Sequence, residues 1–431
     1  MAQVRPVFAG IESRKEDNQL RVLAALRDAR LSEAGLGGTT GYGYGDLGRD
    51  QVEAAFASAF GAESALVRIQ ISTGTQALAL CLFALLRPGD ELLAVCGPPY
   101  DTLQTVIGFQ TKTGPDAKRV VQLETRQSGA GVDGGSRSRF RADSGTLREF
   151  GVNYREVALS EDGSPDLAAI RQALTPATRV VFIQKSRGYS MRRSLQAEDI
   201  HAICRTVRAV NGQAVILVDN CYGEFVETEE PCMLGADLCA GSLIKNPGGG
   251  LCPSGGYVVG KTELVEQVAC RLNAPGLGSH VGPTLGFTRL IAQGFYLAPH
   301  VVAESIKGAV FAASFLRLAG FATFPDYRAG RGDIVQSVEL GSAERLVAFC
   351  QAVQTAAPVD SFVQPEPWPM PGYADPVIMA AGAFVQGASI ELSADGPLRP
   401  PYPAFMQGGL CFENIRLACM LAVDKIGVVE A

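Results

Sequence analysis

The spacing of apolar positions changes along the chain. Residues 11 to 34 carry Ile11, Leu20, Val22, Leu23 and Leu26 at helical spacing with charges between, which predicts an amphipathic N-terminal helix. Residues 50 to 60 keep that period, with Val52, Ala55, Phe56 and Ala59 on one face. Short apolar runs then take over at 65–71, 91–95, 179–184, 215–218, 238–244 and 255–260. Runs of this kind read as strands buried on both faces. Helical patterns lie among them at 77–86 and 197–210. The alternation predicts an α/β chain whose mostly parallel sheet is flanked by crossover helices. A helix at 301–318 leads into a smaller α+β domain, with strands at 334–340 and 383–392 and helices at 343–356 and 415–426. The expected divisions are an N-terminal helix and arm (1–60), a large domain (61–299) and a small C-terminal domain (300–431). Residues 111–147 are rich in Gly, Ser and Arg, lack periodicity and read as a flexible insertion.

Composition narrows the function. A 431-residue chain with 47% hydrophobic and 19% charged residues has the balance of a globular enzyme. A net charge of −6 and a pI near 5.4 argue against a nucleic-acid partner, which needs a basic footprint. The 11 cysteines include no C-x-x-C pair, and His201, His280 and His300 do not fall at metal-ligand spacing, so no metal is expected. With no signal-like N-terminus and no apolar run near ~18 residues, the expected address is cytoplasmic, without a membrane partner.

Candidate chemistry lies at the ends of two runs. Asp219 closes the run at 215–218, and the carboxyl end of a buried parallel strand is where open α/β sheets hold ligands. Lys245 closes the run at 238–244 and opens a glycine-rich stretch. Burying a lysine is costly unless it is paired or chemically used. Each residue alone also reads as a turn carboxylate or a snorkelling lysine. Together they suit pyridoxal 5'-phosphate (PLP), which needs a lysine for its Schiff base and a carboxylate to keep its ring nitrogen protonated. Ser242 is a candidate phosphate ligand. Thr73, Gly74 and Thr75 stand between a strand and an apolar helix, where a helix N-terminus favours an anion; ordinary capping is the alternative. Tyr100 follows the 91–95 strand and is placed to stack on a bound ring. Gly43, Gly45 and Gly48 match the dinucleotide fingerprint, but no strand precedes them. An extended arm presenting Tyr42 and Tyr44 fits that stretch better.

The segments VDNCYGEF and GADLCAGSLIKNPGGG resemble the PLP-dependent methionine γ-lyase-related family. These are relatives of the cystathionine lyases, often labelled aluminium-resistance proteins. The resemblance implies fold type I, with Lys245 as cofactor anchor and base. It places Asp219 at the ring nitrogen, Tyr100 on the ring, and Thr73, Gly74, Thr75 and Ser242 around the phosphate. It implies that Tyr44 and Arg49 reach a neighbour's phosphate, hence a homodimer or homotetramer with shared active sites. Arg187 and Tyr189, in the loop after the 179–184 strand, become candidates for binding an amino-acid substrate. For the substrate carboxylate Arg416 leads, in a segment resembling the relatives' last strand, and Arg399 competes. The implied reaction is elimination from the γ (or β) carbon of an amino acid, giving ammonia and a 2-oxo acid. A γ-replacement enzyme or aminotransferase uses the same parts. A PLP-binding regulatory or stress protein without turnover and an NAD dehydrogenase stay open.

Overall fold

The expected run at 215–218 forms a fully buried strand near the middle of a seven-stranded sheet. The computed structural model describes residues 1–111, 120–122, 144–370 and 375–428. In chain order its first strands are β1 (Ser64–Arg68), β2 (Glu91–Ala94), a separate hairpin of β3 (Phe109–Thr111) and β4 (Val120–Gln122), β5 (Asn153–Glu156), β6 (Thr178–Gln184), β7 (Val215–Asp219), β8 (Leu238–Ser242) and β9 (Gly256–Gly260). The main sheet has the order β1-β9-β8-β7-β6-β2-β5. Strands β5, β2, β6, β7 and β8 run parallel, and β9 is antiparallel to both β8 and β1.

Helices cover both faces: α1 (Arg5–Asp28), α2 (Leu47–Ala59), α3 (Gly74–Leu85), α4 (Asp101–Ile107), α5 (Leu167–Ala173), α6 (Ala197–Val210), α7 (Thr262–Leu272) and α8 (Thr288–Leu318). The period of two explains how β7 serves both layers. Val215 and Leu217 join a core with Leu78, Leu82 and Val268, while Ile216 and Val218 join another with Ile170, Ile200 and Ile203. Burying each such side chain contributes roughly 1.5–3 kcal/mol. That is why the run is apolar until its last residue, which reaches the sheet edge.

The remaining elements are β10 (Ala322–Phe324), β11 (Gln336–Glu339), α9 (Ala343–Thr355), β12 (Val377–Ala380), β13 (Ser393–Pro397), β14 (Pro403–Gln407) and α10 (Phe412–Ile426). They build an antiparallel sheet, β10-β11-β14-β13-β12, with α9 and α10 packed on one face. Three element expectations change. The N-terminal helix starts at Arg5 and ends at Asp28. Helix α8 starts at Thr288 and runs through Pro299, so the 299/300 division falls inside a continuous helix. The stretch 383–392 is loop, because the Glu391 carboxylate accepts from the amides of Phe384 and Val385, each at 2.9 Å, and the strand follows it as β13. Residues 112–119 and 123–143 of the insertion lie outside the described residues. No helix among the described residues is long and apolar enough to cross a membrane.

Candidate active site

The parallel strands β6, β7 and β8 end side by side. Gln184 lies in register with Asp219, and Asp219 with Ala240, two residues before Ser242. Leu243 and Ile244 then lead to Lys245. Its amine sits 4.0 Å from the centre of the Tyr222 ring, a cation–π contact, and forms no salt bridge among the described residues. Lys185, the other lysine beside these strand ends, contrasts with it. Lys185 is fully buried and ion-paired with Glu227 at 3.0 Å. One lysine is neutralised within the fold, and the other is half-buried with no carboxylate ion-paired to it among the described residues.

Electrostatics couple the Lys245 amine to Asp219. Burial opposes charge on Lys245, but the acidic groups around it, Cys221, Tyr222 and Asp219, outweigh burial and hold its pKa above the ordinary lysine value. Burial raises the Asp219 carboxyl above the usual carboxylate range, while Lys245 and the Cys221 amide, which donates to it at 3.1 Å, pull the other way. Tyr100 borders the same space. Its amide donates to Gln184 Oε1 at 2.8 Å and its hydroxyl to Thr75 Oγ1 at 3.0 Å, and Thr75 in turn bonds Thr102 at 3.1 Å. Burial and then Asp219 push the Tyr100 hydroxyl to a higher pKa, so it stays protonated at neutral pH.

The N-terminus of α3 faces these groups. Thr73 caps the helix by accepting from the Gln76 amide at 3.0 Å, as the capping alternative requires, and its hydroxyl hydrogen stays available for an acceptor. A Cβ on Gly74 would stand 3.3 Å from Cys221 Sγ and 3.4 Å from the Ser242 Cβ, so glycine keeps a narrow slot open. Gly74, Cys221 and Ser242 therefore meet at one slot, Tyr100 is tied to it through Thr75, Asp219 and Lys245 lie within electrostatic reach of Tyr100, and Thr73 caps α3 at the exposed rim.

Other expected residues are placed differently. Arg49 is buried in its own subunit, donating to the carbonyls of Gly43 at 2.8 Å and Gly282 at 3.2 Å and pairing with Asp50. Its fork is thus occupied in holding the arm, whereas Tyr44 is exposed and stacked on Tyr42 at 5.5 Å. Arg187 turns away toward the small sheet, 3.6 Å from Asp333 and donating to the Phe324 carbonyl at 3.1 Å. Tyr189 packs on Phe405 at 5.3 Å and hydrogen-bonds Asp395. Arg416 is not on a strand. It lies on α10 beside buried Ile415 and points to the exposed side of that helix. Arg399 occupies the turn between β13 and β14, paired with Asp375 at 3.0 Å; burial raises the Asp101 carboxyl above its ordinary range, and the nearby Arg399 charge offsets part of that rise. Asp101 is the next residue after Tyr100, so Arg399 lies on the Tyr100 side of the molecule.

Several residues at the site carry no sequence signal of their own. Gln184 reads as a strand terminus. Tyr222 reaches the Lys245 amine because its backbone takes φ 71°, a left-handed conformation that local sequence does not announce. The Ser389 hydroxyl, from the segment before β13, donates to the Tyr222 hydroxyl at 3.1 Å.

The chain is similar in sequence and fold to known proteins. The chain is 46% identical over 425 residues to the uncharacterized protein YnbB of Bacillus subtilis (strain 168), covering 99% of this chain and 94% of that one. It is 43% identical to the crystal structure of a carbon-sulfur lyase involved in aluminium resistance from Clostridium novyi NT, with a TM-score of 0.88 over 99% of this chain and 94% of the other. A pyridoxal-5'-phosphate dependent protein from Escherichia coli, YhfS, shares the fold at 18% identity and a TM-score of 0.59, over 96% of this chain and 97% of the other. The architecture is that of fold-type-I PLP enzymes. The sequence profile described as methionine gamma-lyase matches residues 1–127 and 137–427. With the strand-end carboxylate, the unpaired lysine and the profile coinciding along one chain, this protein belongs to the methionine gamma-lyase family.

Proposed function

We propose that the protein is a PLP-dependent carbon–sulfur lyase acting on an amino acid with a leaving group at the γ or β carbon. The observation that carries this reading is the Lys245 amine, free of any ion pair among the described residues, beside the Asp219 carboxyl at the end of the parallel strands. The residues present fit the cofactor. Lys245 is the amine that would hold its aldehyde carbon, Asp219 would keep a proton on its ring nitrogen, and Tyr100 would cover the ring. The Gly74 slot, bordered by Ser242 and lined by the Thr73 and Thr75 hydroxyls, fits a phosphate at a helix N-terminus. When bound, PLP supplies a ring that accepts the electron pair released at the substrate Cα.

The chain's own groups do the rest. Arg399, half-buried beside α4, binds the substrate carboxylate as a planar fork and exchanges Asp375 for it. Once Lys245 is released it is the nearest base and takes the Cα proton on Nζ. Tyr222 holds the resulting ammonium against its ring face. The Tyr100–Thr75–Thr102 hydroxyl chain offers a route for a proton to the departing group. Family membership and the likeness to the Clostridium novyi carbon-sulfur lyase support elimination over transamination. The exposed Tyr42–Tyr44 pair supports an arm that meets a second copy of the chain, with Arg49 positioning that arm. The test is to incubate the PLP-loaded protein with L-methionine, L-homocysteine, cystathionine and S-alkyl-L-cysteines and to measure 2-oxo acid and ammonia. Release of both in equal amounts supports the reading, and no 2-oxo acid from any of them refutes it.

A further inference from the structure

One face of the small sheet carries a buried carboxyl group, Asp395 of β13. Along β13 the side chains alternate. Leu392, just before the strand, and Ala394 enter the small-domain core with Ala404 and Met406 of β14, while Ser393 and Asp395 point the other way. Phe405 and Gln407 share that opposite face, since Asp395 is in register with Phe405 and Ser393 with Gln407. Both Ser393 and Asp395 are more than nine-tenths buried. Each carries a polar atom, Ser393 Oγ and Asp395 Oδ1, with no hydrogen-bond partner among the described residues. The other carboxylate oxygen of Asp395 accepts from Gln407 Nε2 at 3.1 Å, and Tyr189 also bonds the carboxyl group, so the side chain is held in place. Burial raises the Asp395 carboxyl to about 7 and the Lys245 charge pulls it back, so the two groups lie within electrostatic reach, and the segment just before β13 touches the site directly through the Ser389–Tyr222 hydrogen bond.

A buried carboxylate with an unmet acceptor is costly, and a cation with N–H donors removes that cost. An anionic group is repelled there, which excludes the cofactor phosphate and the substrate carboxylate as its partner. The substrate's α-amine is consumed at the reacting centre, so it is not the cation either. We infer that Asp395 and Ser393 determine specificity by receiving a protonated amine on the substrate side chain, so that the lyase acts on amino acids whose departing portion is cationic. Asp395 accepts the charge-assisted hydrogen bond, Ser393 Oγ accepts a second N–H, and Gln407 and Tyr189 fix the carboxylate. This rests on the lyase reading for the reaction, but the recognition can be measured without turnover.

The probes are L-ornithine and L-lysine against L-norvaline and L-norleucine, pairs that differ in the terminal amine and lack a leaving group. Calorimetric titration into the PLP-loaded enzyme gives the ratio of Kd values within each pair. The expected result is a preference of about tenfold or more for at least one amine over its neutral counterpart. Asp395→Asn keeps the shape and the Gln407 contact. It should bring that ratio close to one while the neutral ligand's Kd stays within about twofold, and Ser393→Ala should lower the ratio part-way. A counter-ion role for Lys245 alone would weaken both members of a pair equally. Equal affinities in the unmodified enzyme, an unchanged ratio in Asp395→Asn, or no binding by either pair overturns the inference. An amine preference without 2-oxo acid from any thioether would refute the lyase reading and leave this recognition standing. Turnover without the preference would do the reverse.

Discussion

The two lysines beside the strand ends should respond oppositely to the same substitution. Lys185→Met removes the partner of Glu227 from a fully buried ion pair of 3.0 Å, leaving that carboxylate with the Ala197 amide at 2.9 Å and with buried Glu230 nearby. Breaking a buried pair from one side costs about 3–5 kcal/mol. Glu227 is 16% exposed, so water recovers part of the loss and the lower end, about 3 kcal/mol, is expected. Lys245→Met breaks no ion pair among the described residues. It loses the Tyr222 contact, worth about 0.5–1 kcal/mol, and the attraction of Asp219, whose carboxyl, already raised by burial, takes up a proton instead, and it gains an apolar side chain in a half-buried position. The net change should stay within about 1 kcal/mol. The assay is urea unfolding of the cofactor-free protein followed by circular dichroism, which excludes any stabilisation by bound PLP. A large fall for Lys185→Met with little change for Lys245→Met supports the division of labour. Equal falls would mean that Lys245 is a structural residue, and the active-site reading would lose its main support.

Other outcomes follow from the same geometry. Arg399→Ala should raise KM by roughly 10- to 100-fold, through loss of a charge-assisted carboxylate contact worth about 1.5–3 kcal/mol, with Arg416→Ala silent; steady-state kinetics on both variants decides the order. Gly74→Ala puts a methyl 3.3 Å from Cys221 Sγ and 3.4 Å from Ser242 and should weaken PLP binding in a fluorescence titration without lowering the unfolding midpoint of the cofactor-free protein. Burial pushes Glu224 up to about 8, with one oxygen accepting from Tyr257 at 2.8 Å and the other without a partner among the described residues. The folded state thus binds a proton that the unfolded state releases near the ordinary glutamate value. This contribution to stability is fully present at lower pH and is lost as pH rises toward about 8. Glu224→Gln should flatten the fall in unfolding free energy over that window, and an unchanged slope would refute the assignment.

The parts legible in the sequence were those where local pattern and tertiary environment agree. Helix α6 shows its amphipathic period openly, and β7 and β8 are apolar because both faces of the sheet are covered. Asp219 and Lys245 stood out because each ends such a run with a charge. Where context overrides propensity, the pattern misleads. Ser393-Ala394-Asp395-Gly396-Pro397 has little strand character, yet it is a strand because β12 and β14 flank it on both sides. The apolar segment before it is loop because Glu391 ties its amides. Arg416 resembled a strand residue by its place near the chain end, but buried Ile415, Ala418, Cys419 and Ala422 set a helical period that turns it outward. Tyr222 carries no local signal because a positive φ brings its ring to Lys245, and Asp395 carries none because it comes within electrostatic reach of that amine only through the packing of a second sheet.

The cofactor's attachment point tests the central claim most directly. Borohydride reduction of the PLP-loaded protein, followed by proteolysis and mass spectrometry, fixes the cofactor on whichever lysine holds it. The expected result is one modified peptide with the label on Lys245. A label on Lys185 or another lysine, or no label on protein that is yellow before reduction, would contradict the account.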